Sequence, residues 1–365
     1  MNIEYKNSVG DYPEFFKRVK GKTIALLYDI NTRPYAEEVK KKLQENKNGV
    51  TDIYFEDEEL VPDEKACQKT LAGLKTADYL LAVGSGTLND MAKLAASLSK
   101  KPSGVLATAA SMDGYASKGA AVMKNGFKVT ETVCPPSDIL IDLDIIKNAP
   151  KEMTAAGFGD IVGKYTCLTD WKLANLVIGE EIDWEAYGLM EKARAKCISA
   201  FDALQNYEPT AVADLMNALI TAGLSMAACG NSRPASGSEH HISHYLEMDF
   251  VRRGEKIPPH GVKVAIGTLV SIEIYNYLKK NRVRFKNADA AYKLVDELPR
   301  VEEIKTMLTK LGCPTRFSEI GVREETMRQT IRHAHTVRDR FTVLTLIHKL
   351  GLTDQIEPMI MEKYY

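Results

Sequence analysis

"ADYLLAVGSGTLNDMAKLAASLSK", residues 77–100, decides how the first part of this chain is read. Tyr79 to Val83 is a short apolar run, Gly84-Ser85-Gly86 is a turn, and the residues that follow carry apolar side chains at helical spacing. A buried strand that passes through a glycine turn directly into a helix is half of a βαβ unit, the building block of parallel sheets. Working outward, "KTIALLYDI" (22–30), "GVTDIYFED" (49–57) and "SGVLATAAS" (103–111) read as further strands. "RPYAEEVKKKLQEN" (33–46) and "EKACQKTLAGLK" (64–75) read as the helices between them. Asn125-Gly126 within "AVMKNGFKVTETV" signals a hairpin, and "DILIDLDII" (138–146) is expected to be a last buried strand. After Asn148-Ala149-Pro150 the texture changes to helices broken by Gly and Pro. The expected organisation is therefore an α/β domain over 1–149 and an all-α domain over 150–365.

Composition narrows the function. A chain of 365 residues exceeds what one hydrophobic core usually serves, which agrees with two domains. Lys and Arg number 48 against 49 Asp and Glu, for a net charge of −1, and there is no basic block. Nucleic-acid binding is disfavoured. The charge runs "KKKLQENK" (40–47) and "EDEEL" (56–60) read as solvated faces. Six dispersed cysteines with no CxxC pair read as reduced, mostly buried thiols. The N-terminus has no apolar signal core, and the most apolar later stretch, Leu215 to Cys229, is too short to span a bilayer. The expectation is a cytoplasmic protein without membrane insertion; a homo-oligomer, with a dimer favoured, is a separate expectation that composition does not carry.

Two strand ends carry ligand chemistry. Gly84, Ser85, Gly86, Thr87, Leu88, Asn89 and Asp90 form a small-residue loop opening a helix, where backbone N–H groups and the helix dipole suit a pyrophosphate. The sequence is neither GxGxxG nor Walker A, so the loop alone is also compatible with an ordinary tight turn. The neighbouring strand ends in Thr108, Ala109, Ala110 and Ser111, with Ser117 beyond, at the position where an open parallel sheet places its ligand crevice. Asp29, ending the first of the strands, is a candidate for binding a ribose hydroxyl and so favouring NADH, or for capping the next helix. "GFGDIVG" (157–163) has no strand before it and reads instead as close helix packing around Asp160.

Four of the seven histidines lie within twenty-one residues, in "SGSEHHISHYLEMDF" (236–250) and at His260. On a helix, His240 and His244 share a face by i, i+4 spacing while His241 points away. His260 follows Pro258-Pro259 and starts another helix. Two imidazoles from separate helices plus a carboxylate suit a divalent Zn, Fe or Ni ion, and Asp160 among glycines is the carboxylate of choice. Nucleophilic and structural roles remain open alternatives. His333 and His335, two residues apart on helical sequence, fall on different faces and read as solvated or supporting groups.

"VGSGTLND", "TAASMDGYAS", "TAAGFGDIVGKYTCLTDW", "SGSEHHISH" and "PPHGVKVAIGTL", in this order, resemble the sn-glycerol-1-phosphate dehydrogenase family, closest to its bacterial branch. That family sits among the metal-dependent polyol dehydrogenases, group III alcohol dehydrogenases and dehydroquinate synthases. The likeness covers about residues 20 to 350. It implies the dehydroquinate synthase-like fold, with the active site in the cleft between domains and NAD(H), possibly NADP(H), on the loops named above. Ser85 departs from the third consecutive glycine that many members carry. It further implies one divalent metal on Asp160, His240 and His260, with Asp113, Asp160 and His244 contacting the substrate. His244 and Asp113 are then the catalytic candidates, and Arg233 in "NSRPASGS" (231–238) the candidate donor to the phosphate of dihydroxyacetone phosphate or glycerol 1-phosphate. Competing readings are a glycerol or other polyol dehydrogenase of the same fold, and a catalytically inactive metal- and nucleotide-binding protein.

Overall fold

The computed structural model describes residues 1–6, 12–124 and 127–365. The chain divides into two compact units. The first comprises Met1–Ala110, Gly114–Pro150 and Tyr207–Ala213; the second comprises Ser111–Asp113, Lys151–Asn206 and Asp214–Tyr365.

Among the described residues, the first unit is built on eight strands, β1 (Asn2–Tyr5), β2 (Thr23–Asp29), β3 (Gly49–Phe55), β4 (Tyr79–Gly84), β5 (Ser103–Ala107), β6 (Gly119–Lys124), β7 (Phe127–Thr132) and β8 (Asp138–Ile141). Six form one parallel sheet in the order β1-β8-β5-β4-β2-β3, and β6 and β7 form a separate antiparallel pair. The Asn125-Gly126 turn expected between that pair lies outside the described residues. Every residue of β4 is buried, as a central parallel strand with both faces covered requires. Ile24, Leu26, Leu81, Val83, Leu106 and Leu140 pack with Phe15 and Leu43 on one side of the sheet.

Sheet order fixes where a ligand can bind. From β2 the chain moves outward to β3, then returns past β2 to β4 and continues the other way to β5. The direction therefore reverses between β2 and β4, and open α/β sheets bind ligands outside the carboxyl ends of the strands at such a reversal. β2 pairs with β4 through Leu27↔Ala82, so Asp29 and Gly84 both lie two residues further on, at that end.

Two features differ from the sequence reading. The segment expected as one strand over 138–146 pairs only to Ile141. Asp142 then accepts from the Asp144 N–H and caps a helix, Leu143–Lys147. The edge strand β1 and the helix Pro13–Val19 were not anticipated, because β1 is four residues long and partly exposed, giving no alternation to read.

The second unit is helical. Its site is carried by helices Lys151–Val162, Lys164–Ile178, Ser238–Arg253 and His260–Lys280. A Cβ on Gly261 would meet the Ala156 carbonyl oxygen at 1.8 Å, and one on Gly159 would meet the Gly261 carbonyl oxygen at 2.4 Å. The first and last of these helices thus touch backbone to backbone, which brings Asp160 to the start of the helix that His260 opens. The apolar stretch read from Leu215 belongs to a longer helix, Pro209–Cys229. Among the described helices it alone is long and apolar enough to cross a membrane by length and composition, and 50% of that window is buried within the protein. Of the six free cysteines, Cys167, Cys197 and Cys313 are buried, Cys67 and Cys229 partly so, and Cys134 is exposed.

Candidate active site and metal centre

In the first unit, β4 turns tightly into the helix that follows it. A Cβ on Gly84 would lie 2.3 Å from Leu88 Cδ1, so only glycine allows the chain to turn this closely into its helix. Ser85 is the N-cap residue of helix Gly86–Ser99, its hydroxyl accepting from the Gly86 N–H at 2.6 Å. Thr108 N–H donates to the Gly84 carbonyl at 3.1 Å, placing the two strand-end loops side by side. Thr87, Leu88 and Asn89 lie in the first turn of the helix, and Ala109 and Ala110 follow Thr108 in a buried segment. Ser111 is grouped with the second unit.

Asp90 is engaged structurally: one oxygen pairs with Lys93 at 2.9 Å and the other accepts from Ala121 N–H at 3.0 Å. Lys93, which the sequence reading passed over, is fully buried and donates to the carbonyls of Gly114 at 2.9 Å and Gly119 at 2.5 Å, and to Ser117 Oγ at 3.4 Å. It ties down the segment carrying Ser117. Asp29 Oδ1 accepts from both the N–H and the hydroxyl of Thr32, each at 2.9 Å, which fixes its carboxylate at the strand end.

The second unit gathers the other residues. Asp160, His240 and His260 each present a ligand atom, all within 4.8 Å of one another. The ring of His240 lies 5.1 Å from that of His260, and His244 lies 6.1 and 5.8 Å from the two. Glu239 Oε1 takes the His240 Nδ1 at 2.8 Å, which leaves Nε2, 3.7 Å from Asp160 Oδ1, turned to the site. Burial and the neighbouring Lys164 charge hold His240 well below the usual imidazole range, so it is neutral, the form that ligates a metal.

Glu247 plays the same part for two rings, with Oε2 at 3.2 Å from His244 Nδ1 and Oε1 at 3.3 Å from His260 Nδ1. A buried carboxylate with two imidazoles, each ring oriented by an outer carboxylate, matches the donor set of a catalytic divalent site with open positions. Sequence reasoning missed both glutamates. The His244-x-x-Glu247 spacing, one helical turn, was the available signal.

Lys164 was also missed. Fully buried, it donates to Asp113 Oδ2 at 2.6 Å, Asp160 Oδ1 at 2.8 Å and the Ala235 carbonyl at 2.8 Å. Burial opposes its charge, but the two carboxylates outweigh burial and hold its pKa above the usual lysine value. Asp113 is fixed a second time by its N–H, which donates to Asp160 Oδ2 at 3.0 Å. Burial and the Asp160 charge raise its carboxyl above the usual range. His244 is pushed down to about 4, chiefly by burial. Its Nε2 accepts from Arg338 Nη2 at 3.2 Å.

One sequence reading needs correction, and two are filled in by the structure. Arg233 is not a free phosphate donor: it is buried, its guanidinium pairs with both oxygens of Glu180, and Nη1 donates to the Phe341 carbonyl at 2.9 Å. His241 does turn away from His240's partners, but into the interior, where neither ring nitrogen has a hydrogen-bond partner. His335 stacks on His348 at 3.9 Å rather than joining the site.

The family described as iron-containing alcohol dehydrogenase matches residues 4–150. The chain is similar to the glycerol-1-phosphate dehydrogenase (NAD(P)+) of Bacillus licheniformis, 34% identical over 353 residues, covering 96% of this chain and 85% of that protein. It is likewise 34% identical over 353 residues to the enzyme of that name from Bacillus subtilis, covering 94% and 90%. Among solved structures, a probable glycerol dehydrogenase from Sinorhizobium meliloti 1021 superposes with a TM-score of 0.72 at 16% identity, over 99% of this chain and 98% of that one. At that identity the match speaks for the fold.

Proposed function

The chain belongs to the glycerol-1-phosphate dehydrogenase family, and from that premise we propose that it catalyses the metal-dependent, NAD(P)H-linked and reversible reduction of dihydroxyacetone phosphate to sn-glycerol 1-phosphate. The observation that carries this reading is the convergence of Asp160, His240 and His260 beside His244 and Asp113. When bound, a divalent metal supplies Lewis acidity to the substrate carbonyl, and NAD(P)H supplies the hydride.

The chain's own residues do the rest. Glu239 and Glu247 hold the three imidazoles in one tautomer and one orientation, so the ligand geometry exists before substrate arrives. Lys164 balances the charge of Asp160 and Asp113 in a largely buried cluster. His244 is uncharged at neutral pH. Its Nδ1–H is committed to Glu247, which leaves Nε2 to accept from a substrate hydroxyl in exchange for Arg338. His244 and His260 are partly exposed, with side chains at 23% and 25%, so the substrate enters and the product oxygen takes its proton on their side. In the first unit, Asp29, Gly84 to Asn89, Thr108 to Ala110 and Ser117 form the dinucleotide site, which Asp90 supports through Lys93. The same reading has the protein as a cytoplasmic homodimer that does not insert into membranes, which size-exclusion chromatography and cell fractionation test.

The direct test compares two ketones. A dianionic phosphate contributes binding energy that can be used to orient the carbonyl, so dihydroxyacetone phosphate should exceed dihydroxyacetone in kcat/KM by at least about a hundredfold, roughly 2.7 kcal/mol. Equal use of the two ketones would turn the reading to a plain polyol dehydrogenase.

A further inference from the structure

Arg338 and Arg340 are two part-buried guanidiniums, Arg338 beside the catalytic candidate His244, with no carboxylate within ion-pair distance among the described residues. Both donate to one hydroxyl, Ser232 Oγ, Arg338 from Nη1 at 3.0 Å and Arg340 from Nη2 at 2.8 Å. Arg340 Nη1 donates to the Ser236 carbonyl at 2.6 Å, and Arg338 Nη2 reaches His244 Nε2 at 3.2 Å. Their neighbour Arg233 has Glu180; these two have only neutral acceptors. Guanidiniums drawn this far out of water are usually paired with an acid. Burial lowers both, and mutual repulsion among the three arginines helps to bring Arg340 down to about 10.

A second observation points to a ligand. The Oγ of Ser236, whose carbonyl receives Arg340, is buried without a hydrogen-bond partner, and so are both ring nitrogens of His241, which feels the charges of Arg340 and Arg338. Buried polar atoms left unsatisfied next to unpaired cations mark a place that an anion with several acceptor oxygens would complete.

We propose that Arg338 and Arg340, with Ser232 and Ser236, form the site that binds the substrate's phosphate monoester. This rests on the reading of dihydroxyacetone phosphate as substrate and adds which residues recognise it. Planar guanidiniums donate in forks that match phosphate oxygens. Three bonds separate the reacting carbon of that substrate from its phosphorus, and His244 neighbours the His260 ring on one side and Arg338 on the other. When phosphate takes Arg338, His244 Nε2 is released to the substrate hydroxyl, so binding at one end prepares the other.

The test uses metal-loaded wild type and the variants Arg338→Gln, Arg340→Gln and Arg340→Lys, with metal content measured for each. Losing one charge-assisted fork should lower the ratio of kcat/KM for dihydroxyacetone phosphate over dihydroxyacetone by roughly thirtyfold or more in each Gln variant. Arg340→Lys, which keeps the charge without the fork, should fall between. Inorganic phosphate should inhibit wild type in competition with dihydroxyacetone phosphate and raise its Tm, and both effects should weaken by on the order of tenfold in the Gln variants. A metal-replete variant that keeps the wild-type ratio and phosphate inhibition overturns the proposal. So does a variant whose only change is a higher KM for NADH, because the anion bound would then be the cofactor's pyrophosphate. If a Gln variant does not fold, Arg340→Lys and the phosphate-dependent Tm of wild type decide, and no phosphate effect on either refutes the site. Failure of the substrate reading is a separate result: wild type itself would show a ratio near one.

Discussion

Lys164→Met removes the cation that bridges two largely buried carboxylates, Asp160 and Asp113, and leaves them facing each other. The ammonium contacts Asp113 at 2.6 Å and Asp160 at 2.8 Å, and its third proton goes to the Ala235 carbonyl at 2.8 Å. Deleting one partner of a buried ion pair typically costs about 3–5 kcal/mol, because the remaining charge is unbalanced where water cannot screen it. For a unit of this size each kcal/mol moves Tm by about 2–4 °C, so the metal-free variant should melt roughly 6–20 °C below wild type. The assay is thermal unfolding by circular dichroism at neutral pH, after chelator treatment of both proteins. Zinc should raise Tm more in the variant than in wild type, since a divalent ion on Asp160 replaces the lost positive charge. A metal-free variant within about 1 kcal/mol of wild type would refute the argument that Lys164 balances this site.

Asp29 stands at the sheet's reversal point with its carboxylate fixed by Thr32, so NADH should be preferred to NADPH, and Asp29→Asn should narrow that preference; comparable kcat/KM for the two cofactors in wild type would remove Asp29 from ribose recognition. His244 sits at about 4 in the folded protein against 6.5 when free, chiefly through burial, so its share of stability is present above pH 6.5 and is lost as pH falls through 4. That share is on the order of 3 kcal/mol, and guanidinium unfolding of chelator-treated protein should give His244→Gln a flatter profile than wild type between those limits. Parallel profiles would mean that His244 is not held neutral.

Much of this protein was legible in its sequence where the signal was local. The β4 run into Gly84 and the helix after it follows from two periodicities meeting at a glycine, and the six-strand parallel sheet grows from repeating that pattern. His240, His244 and His260 were placed by helical spacing and by the proline pair, and the glycines around Asp160 correctly signalled a close helix crossing. What escaped depends on partners distant in the chain. Arg233 carried the right chemistry for phosphate, but Glu180, 53 residues away, already binds it. Arg340 meets Ser232 across 108 residues, and nothing near either residue announces it. Glu239, Glu247 and Lys164 look like ordinary helix charges until burial shows that each must serve something inside. The β8 segment misled because Ile139, Ile141, Leu143 and Ile145 alternate in the manner of one long strand, while the cap at Asp142 that ends it leaves no trace in periodicity.

The measurement that bears most directly on the account is metal binding coupled to turnover. Wild type, His240→Ala and His260→Ala are stripped with a chelator, reloaded with zinc or nickel, and assayed for metal content and for NADH oxidation with dihydroxyacetone phosphate. Wild type should bind one ion per chain, lose activity on stripping and regain it on reloading. Each variant, with two ligands left of Asp160, His240 and His260, should retain neither metal nor turnover. Full activity in the stripped wild type, or full metal content and turnover in either variant, would contradict the account.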